Sequence, residues 1–595
     1  MSAKNGERPT VSTFKILLIF RIINAITTRT FFQADEFWQA LEPAHLKAFG
    51  YGKLTWEWEH GLRSYAFPLL FELTYRLVYL VSSFFRVLID ACTTPIARYL
   101  LSKGCSETHV KDLLKIFYEL PEVLEYHGVI YAPKLVMAFI AAVGEYYTIQ
   151  LVQKLYLLSL DKSKDSKASR LSKIKKFALV LTLTNFFNSF IITRTFINSF
   201  EMVLTCVALF YWDWTGGECI QGFDFTKSLL IGIFTCLQRP SNAVIWMTLG
   251  GFLICRLVQQ QKYDRLAYLL RKLFTVFTLT VLLNCIIDYY FYGELVFPIF
   301  RFLKFNFTSP LSNFYGVSPW HFHITQSVPI TLGLSTPLFV YGLFAPSSKR
   351  KYSSVFIDPM LQIKFIIFAV LLSLSYLPHK EFRFIYPLQP FFTSIASLGL
   401  SKLADSYNPK SKMVRELVWG FPFISIFAAL FLNTFNEAGV VSVTKFLHEI
   451  PTVQSVGFIM PCHSTPWQSY LHRNDIKDLW AISCDPPLHL LNDPDAYNKL
   501  PHYMDESDYL YENIPSFIHK NFPPVCQKNE SEDTKSYSHQ WPEYLVIFEH
   551  LKYGYFASLL EDSPYVEVYR GFNSFFHWDS RRQGDVLVYK ILIEN

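Results

Sequence analysis

The chain has 595 residues, 51% of them hydrophobic and 17% charged, with a mean hydropathy of +0.20 and a formal net charge of +6. A soluble chain of this length would divide into several domains with about a quarter of its residues charged. Here apolar runs of roughly 20 residues recur, the length a helix needs to cross a bilayer. The composition therefore excludes an ordinary soluble enzyme and describes a polytopic membrane protein. The basic runs are short and separated by apolar segments, so no nucleic-acid partner is expected.

The first apolar segment covers 14–28, with Lys4, Arg8 and Lys15 at or before its start. It lacks a short cleavable core ending in small residues, which reads as a retained signal anchor with a cytoplasmic N-terminus. The next stretch, TRTFFQADEFWQALEPAHLKAFGYGKLTWEWEHGLRSY (28–65), sets Asp35, Glu36, Glu57, Glu59 and Arg63 among aromatics and glycines. Residues 67–90 are apolar but carry Glu72, Arg76 and Arg86, which suits a helix lying on the membrane surface. The return crossing then falls to 136–158.

Further apolar segments lie at 177–195, 198–214, 227–256, 270–290, 323–346, 357–377, 385–404 and 416–433. QRPSN (238–242) interrupts 227–256, where proline makes two short helices turning at Arg239-Pro240 natural. Basic runs at 161–176, 256–272, 347–354 and 409–415 belong on the cytoplasmic side. Parity then predicts about eleven membrane helices, some short or broken, with 28–135 as a first lumenal loop and 434–595 as a lumenal C-terminal α/β domain. The N-x-S/T sequons, Asn306 and Asn529, both fall on that lumenal side as candidate glycosylation sites. The lumenal tail holds Cys462, Cys484 and Cys526, which allow one disulfide whose pairing stays open; Cys462 with Cys484 is one candidate. Cys92 and Cys105 are another candidate pair.

Four polar clusters converge on the lumenal side: Asp35-Glu36, Arg239 at the broken helix, Trp320 with His321 and His323 in FYGVSPWHFHITQSVP (314–329), and His379, Lys380, Glu381 and Arg383 in LPHKEFRFIYPLQP (377–390). Cations at membrane depth opposite the cytoplasm suit a lipid phosphate, for which arginine offers a planar fork. A carboxylate on the same face can take a proton from an incoming hydroxyl while the cations stabilise a departing phosphate. Together these pieces describe transfer from a lipid-phosphate carrier to a hydroxyl at the membrane surface. ADEF is not a spaced D-x-D pattern, so neither a metal nor another cofactor is expected.

The motifs TFFQADEFWQALEPAH, FYGVSPWHFHITQSVP and HKEFRFIYPLQP, in this order over residues 28–433, resemble the dolichyl-phosphate-mannose-dependent mannosyltransferases of the endoplasmic reticulum, a multi-pass GT-C superfamily. LTWEWEHGLRSY and GFIMPCHSTPWQSYLHR (457–473) are most similar to the branch that adds the third, α1,2-linked mannose to the GPI-anchor precursor. The resemblance implies a GT-C transferase domain over 1–433, dolichyl phosphate mannose as donor, a mannosylated GPI lipid as acceptor, and inversion at the sugar. It implies Asp35 as base with Glu36 beside it, His379, Lys380 and Arg383 at the donor phosphate, and Arg239, Trp320, His321 and Arg63 lining the cavity. Membrane lipids of the endoplasmic reticulum surround the expected protein. The alternatives are a sister enzyme of N-glycan precursor synthesis and a transporter of polyprenyl-linked sugars.

Overall fold

A computed structural model describes residues 9–159, 167–308, 310–344, 355–406, 412–491, 493–525 and 537–592. It is a bundle of helices with a small sheet domain at one end. Among the described residues, seven helices are long and apolar enough to cross a membrane. Helices suit that solvent because they satisfy every backbone polar group internally. The sequence expects about eleven crossings. Shorter helices, such as Ile197–Tyr211 and Phe223–Gln238, run alongside the longer ones.

Local chemistry sets the boundaries. Asp358 caps Pro359–Tyr376, accepting from the amides of Met360 at 3.0 Å and Leu361 at 3.3 Å, with proline at the first helical position. Phe223–Gln238 stops at Arg239, whose backbone is extended, and Pro240 starts the turn into Ala243–Gln259. Packing between Thr336–Phe344 and Gln389–Ser406 is closest at Gly342 and Gly399, where each glycine faces backbone atoms of the other helix and leaves no room for a Cβ. A buried ion pair ties the N-terminal helix Pro9–Thr27 to Glu107–Ser159: Arg21 meets Glu145, and Asn188 also donates to Glu145 at 2.7 Å.

The helix expected to lie on the membrane surface over 67–90 extends beyond those bounds. It is Ala66–Ser102, of 37 residues, which by length and hydropathy also qualifies as a span. It packs antiparallel against the first half of Glu107–Ser159, a 53-residue helix with Pro121 and Pro133 inside it, and exposes Leu77, Leu80, Phe84 and Val87. The helix runs past residue 90 with its apolar face continued by Ile96, Tyr99 and Leu101. Cys92 and Cys105, a candidate pair by sequence, are free and exposed.

The C-terminal sheet has strands β1 (Ser455–Ile459), β2 (Asp478–Ala481), β3 (Tyr544–Phe548), β4 (Tyr565–Gly571) and β5 (Val586–Ile591), in the order β2-β1-β3-β5-β4. β1 is parallel to β2 and β3, and β5 is antiparallel to β3 and β4. β3 is buried along its whole length and reads as a continuous apolar run, as a strand covered on both faces should. Cys462 and Cys484 are joined by a disulfide across 5.7 Å between Cα atoms, linking the loops that follow β1 and β2. Asn306 sits on the helix Pro298–Thr308; Asn529 and Cys526 lie outside the described residues.

The sheet rests on the first loop. Phe31, Phe37 and Trp38 share one core with Val456, Phe458 and Trp467. Buried Glu42 accepts from the Trp467 and Ser469 amides at 3.0 and 3.1 Å and from the Ser469 hydroxyl at 2.6 Å. The first loop, the 239–242 break, 314–329, 377–390 and the sheet thus meet on one face of the bundle. On the opposite face Lys173 pairs with Asp405 at 2.6 Å, and Lys262 and Arg265 pair with Glu218 at 2.6 and 2.7 Å.

Candidate active site

Asp35 stands at the entry to a wide i→i+5 turn, Phe37–Leu41, which continues into the helix Glu42–Phe49. Such turns are rare and recur at functional sites. Its carboxylate, 27% exposed, meets Arg383, 6% exposed, at 2.6 Å. Arg383 also grips Glu381 through Nε at 2.8 Å and Nη2 at 2.9 Å, while Gln33 donates to Glu381 at 2.8 Å. His379 has carboxylate Oε1 of Glu381 3.2 Å from Nε2 and the Gly316 carbonyl 3.0 Å from Nδ1. Both partners are acceptors, so both ring nitrogens donate and the ring is an imidazolium. Burial opposes that charge most strongly, but the hydrogen bond to Glu381, the Glu381 charge and the bond to the Gly316 carbonyl together raise the His379 pKa. Burial likewise works against ionised Glu381, yet the charges of Arg383 and His379 hold it far below the usual carboxylate range.

Asp35 and Glu36 are adjacent in sequence but serve different partners. Glu36 is buried against Arg194 at 3.0 Å, and Arg194 also donates to the Thr30 carbonyl at 2.7 Å and the Thr30 hydroxyl at 2.6 Å. Burial raises the Glu36 pKa, and Arg194 pulls it back only in part. Glu36 therefore anchors the loop, and Asp35 is the carboxylate of the pair that reaches Arg383.

The remaining residues expected at the site divide into two groups. Arg63 pairs with Glu57 at 2.6 Å, Arg239 lies 3.7 Å from Glu201, and both arginines line one cleft of about 300 Å³ with Ser64, Gln238 and Phe302. The charges of Arg63, Arg239, Arg383 and Asp35 act on one another. Three of their buried nitrogens, Arg63 Nε, Arg239 Nε and Arg383 Nη1, have no hydrogen-bond partner. Unsatisfied buried donors of this kind are costly and mark where an anionic ligand would be welcomed. Lys380 differs: its ammonium donates to the carbonyls of Ser318, Leu377 and Pro378 at 2.8, 2.5 and 3.4 Å, stitching the 314–329 loop to the 377–390 loop. Trp320, 69% exposed, and His321, bonded to Thr325 at 3.3 Å, follow directly after Ser318, whereas His323 is buried against Ser327.

This arrangement can do two things. A carboxylate can accept a proton, and guanidinium and imidazolium groups around it can receive a phosphate. A family model described as the Alg9-like mannosyltransferase family matches residues 12–472. The chain belongs to that family.

The mannosyltransferase is 55% identical to GPI mannosyltransferase 3 of Saccharomyces cerevisiae, with 97% of this chain and 95% of that one covered. It is 53% identical to GPI mannosyltransferase 3 of Candida glabrata, over 98% and 96% of the two chains. Its fold is that of ArnT from Cupriavidus metallidurans, solved bound to undecaprenyl phosphate: TM-score 0.52 at 9% identity, with 97% of each chain covered. The fold is thus GT-C, multi-pass and mostly helical, as its motifs imply.

Sequence reasoning about the site missed Arg194, Glu201 and Gln33. A sequence signal existed for two of them, since Arg194 and Glu201 are ionisable groups at the edges of apolar segments and such groups are seldom idle. Gln33 carried none. Cys462, His463 and Cys484 come close enough to suggest a metal group, but the two sulfurs are bonded to each other.

Proposed function

We infer that this glycosyltransferase is an inverting α1,2-mannosyltransferase. It moves the third mannose of the GPI anchor from dolichyl phosphate mannose to the mannosylated GPI precursor. The observation that carries the reading is identity above 50% along nearly the whole chain to two proteins named GPI mannosyltransferase 3. The site's chemistry supports it. Asp35 acts as base once the acceptor hydroxyl displaces Arg383 from it: the hydroxyl oxygen bonds to the mannose C1, its proton passes to Asp35, and the C1–O bond to phosphate breaks with its electron pair leaving on the phosphate. Arg383, Arg63, Arg239 and His379 stabilise that departing dianion, and Lys380 holds their loops in register. Charge placed in advance where it develops is commonly the largest contribution to catalysis.

Residues 1–433 then form the transferase domain and 434–595 an acceptor-side domain in the lumen of the endoplasmic reticulum, with the N-terminus cytoplasmic. No metal is part of this reading: Asp35, Glu57, Glu201 and Glu381 each face a guanidinium, and the chain's own cations take the role of balancing the phosphate charge.

Microsomes with labelled dolichyl phosphate mannose and a two-mannose GPI precursor test the reading. Wild type extends the precursor with or without EDTA, and Asp35→Asn loses at least a hundredfold in rate at normal expression. Extension of an N-glycan precursor in place of the GPI lipid moves the enzyme to the sister branch. Full activity in Asp35→Asn removes the base.

A further inference from the structure

Between the first loop and the sheet domain lies an open cleft of about 770 Å³. Its walls include three indoles, Trp38, Trp56 and Trp467, together with His463 of the disulfide-held loop. None of Arg63, Arg239, His379 or Arg383 lines it, so it is separate from the cationic cluster. It is nevertheless close to the reaction centre: Trp38 follows Asp35 by one helical turn, and the Asp35 charge reaches His463.

Several features suit a sugar. Aromatic faces pack against the apolar faces of pyranoses, and an indole N–H donates to their hydroxyls. Trp38, only 6% exposed, has no partner for its Nε1, and the buried Thr55 Oγ1 in the same wall has none either. Native proteins seldom leave such groups unpaired, so both are donors awaiting a ligand. Lys53, Glu59 and Asp485 also line the cleft, and none has an ion pair among the described residues. A cavity with mixed aromatic and polar walls, including hydrogen-bonding side chains of both signs, suits a hydroxyl-rich chain better than a lipid tail. The disulfide between Cys462 and Cys484 and the anchoring of Glu42 on Trp467 and Ser469 hold the walls rigid.

We propose that this cleft is the saccharide subsite of the acceptor: it receives the mannose-containing head of the lipid-linked glycan and delivers its hydroxyl to Asp35 from the side opposite the donor phosphate. The assignment rests on the transferase reading above for the role of Asp35, but the binding itself does not require turnover. Trp38 Nε1 and Thr55 Oγ1 are its specificity-determining donors.

The test uses the full chain purified in nanodiscs, with Trp38→Phe, which keeps an aromatic ring, and Thr55→Val, which keeps the shape; each removes one donor. Binding of α-mannobiose is read by saturation-transfer NMR, and acceptor and donor KM are read with the GPI precursor. Each variant is expected to raise the acceptor KM about tenfold, the equivalent of one hydrogen bond at about 1.4 kcal/mol, and to weaken mannobiose binding similarly. The donor KM stays within twofold, and Asp35→Asn still binds mannobiose. Unchanged acceptor KM and unchanged mannobiose binding in a folded Thr55→Val variant overturn the subsite while leaving the transferase intact. Wild-type mannobiose binding that depends on Thr55, without extension of the GPI precursor, keeps the subsite and overturns the choice of acceptor. A rise in donor KM of the same size shows a general distortion and overturns the assignment. If Trp38→Phe fails to fold, Thr55→Val, in an irregular segment, carries the test.

Discussion

Asp35 and Glu36 show how two neighbouring carboxylates acquire different tasks from their partners. Asp35 is partly open and faces a guanidinium that also serves Glu381; Glu36 is shut in with Arg194. Removing one member of a buried pair leaves the other charge uncompensated, at a cost of about 3–5 kcal/mol. Glu36→Gln is therefore expected to lower the thermal midpoint and expression, with kcat per folded molecule little changed, whereas Asp35→Asn lowers kcat at an unchanged midpoint. Fluorescence-detected melting alongside single-turnover rates separates the two. His379 adds a pH dependence. Its pKa is raised in the fold, so the protonated form contributes stability and positive charge below its ordinary pKa, and both are lost as pH rises through the raised value. The donor KM should accordingly climb as pH rises, and His379→Gln should show a high, flat donor KM over the same range.

The elements carry their own instructions. Beyond β4, the loop GFNSFFHWDS exposes Phe572, Phe575, Phe576 and Trp578, the last at 91%. Phe575 stacks on Phe431, with centroids 6.0 Å apart, and Phe431 belongs to the helix Lys412–Thr434, which also exposes Ile424 and Phe427. An aromatic loop continuous with a span's apolar face belongs in the interfacial belt, where an amphipathic indole is most stable. Brominated lipids placed in nanodiscs should quench a fluorescence component that disappears in Trp578→Phe; equal quenching in both proteins puts the loop in water. Gly399, opposite Gly342, is the corresponding constraint inside the bundle. A Cβ there meets the backbone of the facing helix, so Gly399→Leu should separate the two helices and abolish folding.

At the scale of the whole molecule, Glu42 couples the sheet domain to the membrane bundle. Burial pushes its pKa up to about 7, and the bonds from Ser469 and the 467–469 backbone recover only part of that cost. The folded state therefore holds a proton that the unfolded chain releases near pH 4.5, so stability falls as pH rises from about 4.5 to about 7. Melting of wild type between pH 5 and 7.5 should show that decline, and Glu42→Gln should flatten it. A flat wild-type profile would place Glu42 outside the linkage.

The sequence already carried the membrane class, the breaking of a helix at Pro240, the gathering of the polar motifs at one place, and the family. All of these follow from apolar run length, proline chemistry, charge asymmetry and local motifs, which are properties of contiguous residues. It could not show that Asp35 rather than Glu36 meets Arg383, that Lys380 holds carbonyls, or that Arg194 and Glu201 are the counter-charges. Those facts depend on side chains from distant segments converging at one depth. Folding alone brings them together, and it also forms the aromatic cleft, whose walls come from the first loop and from residues 458–485.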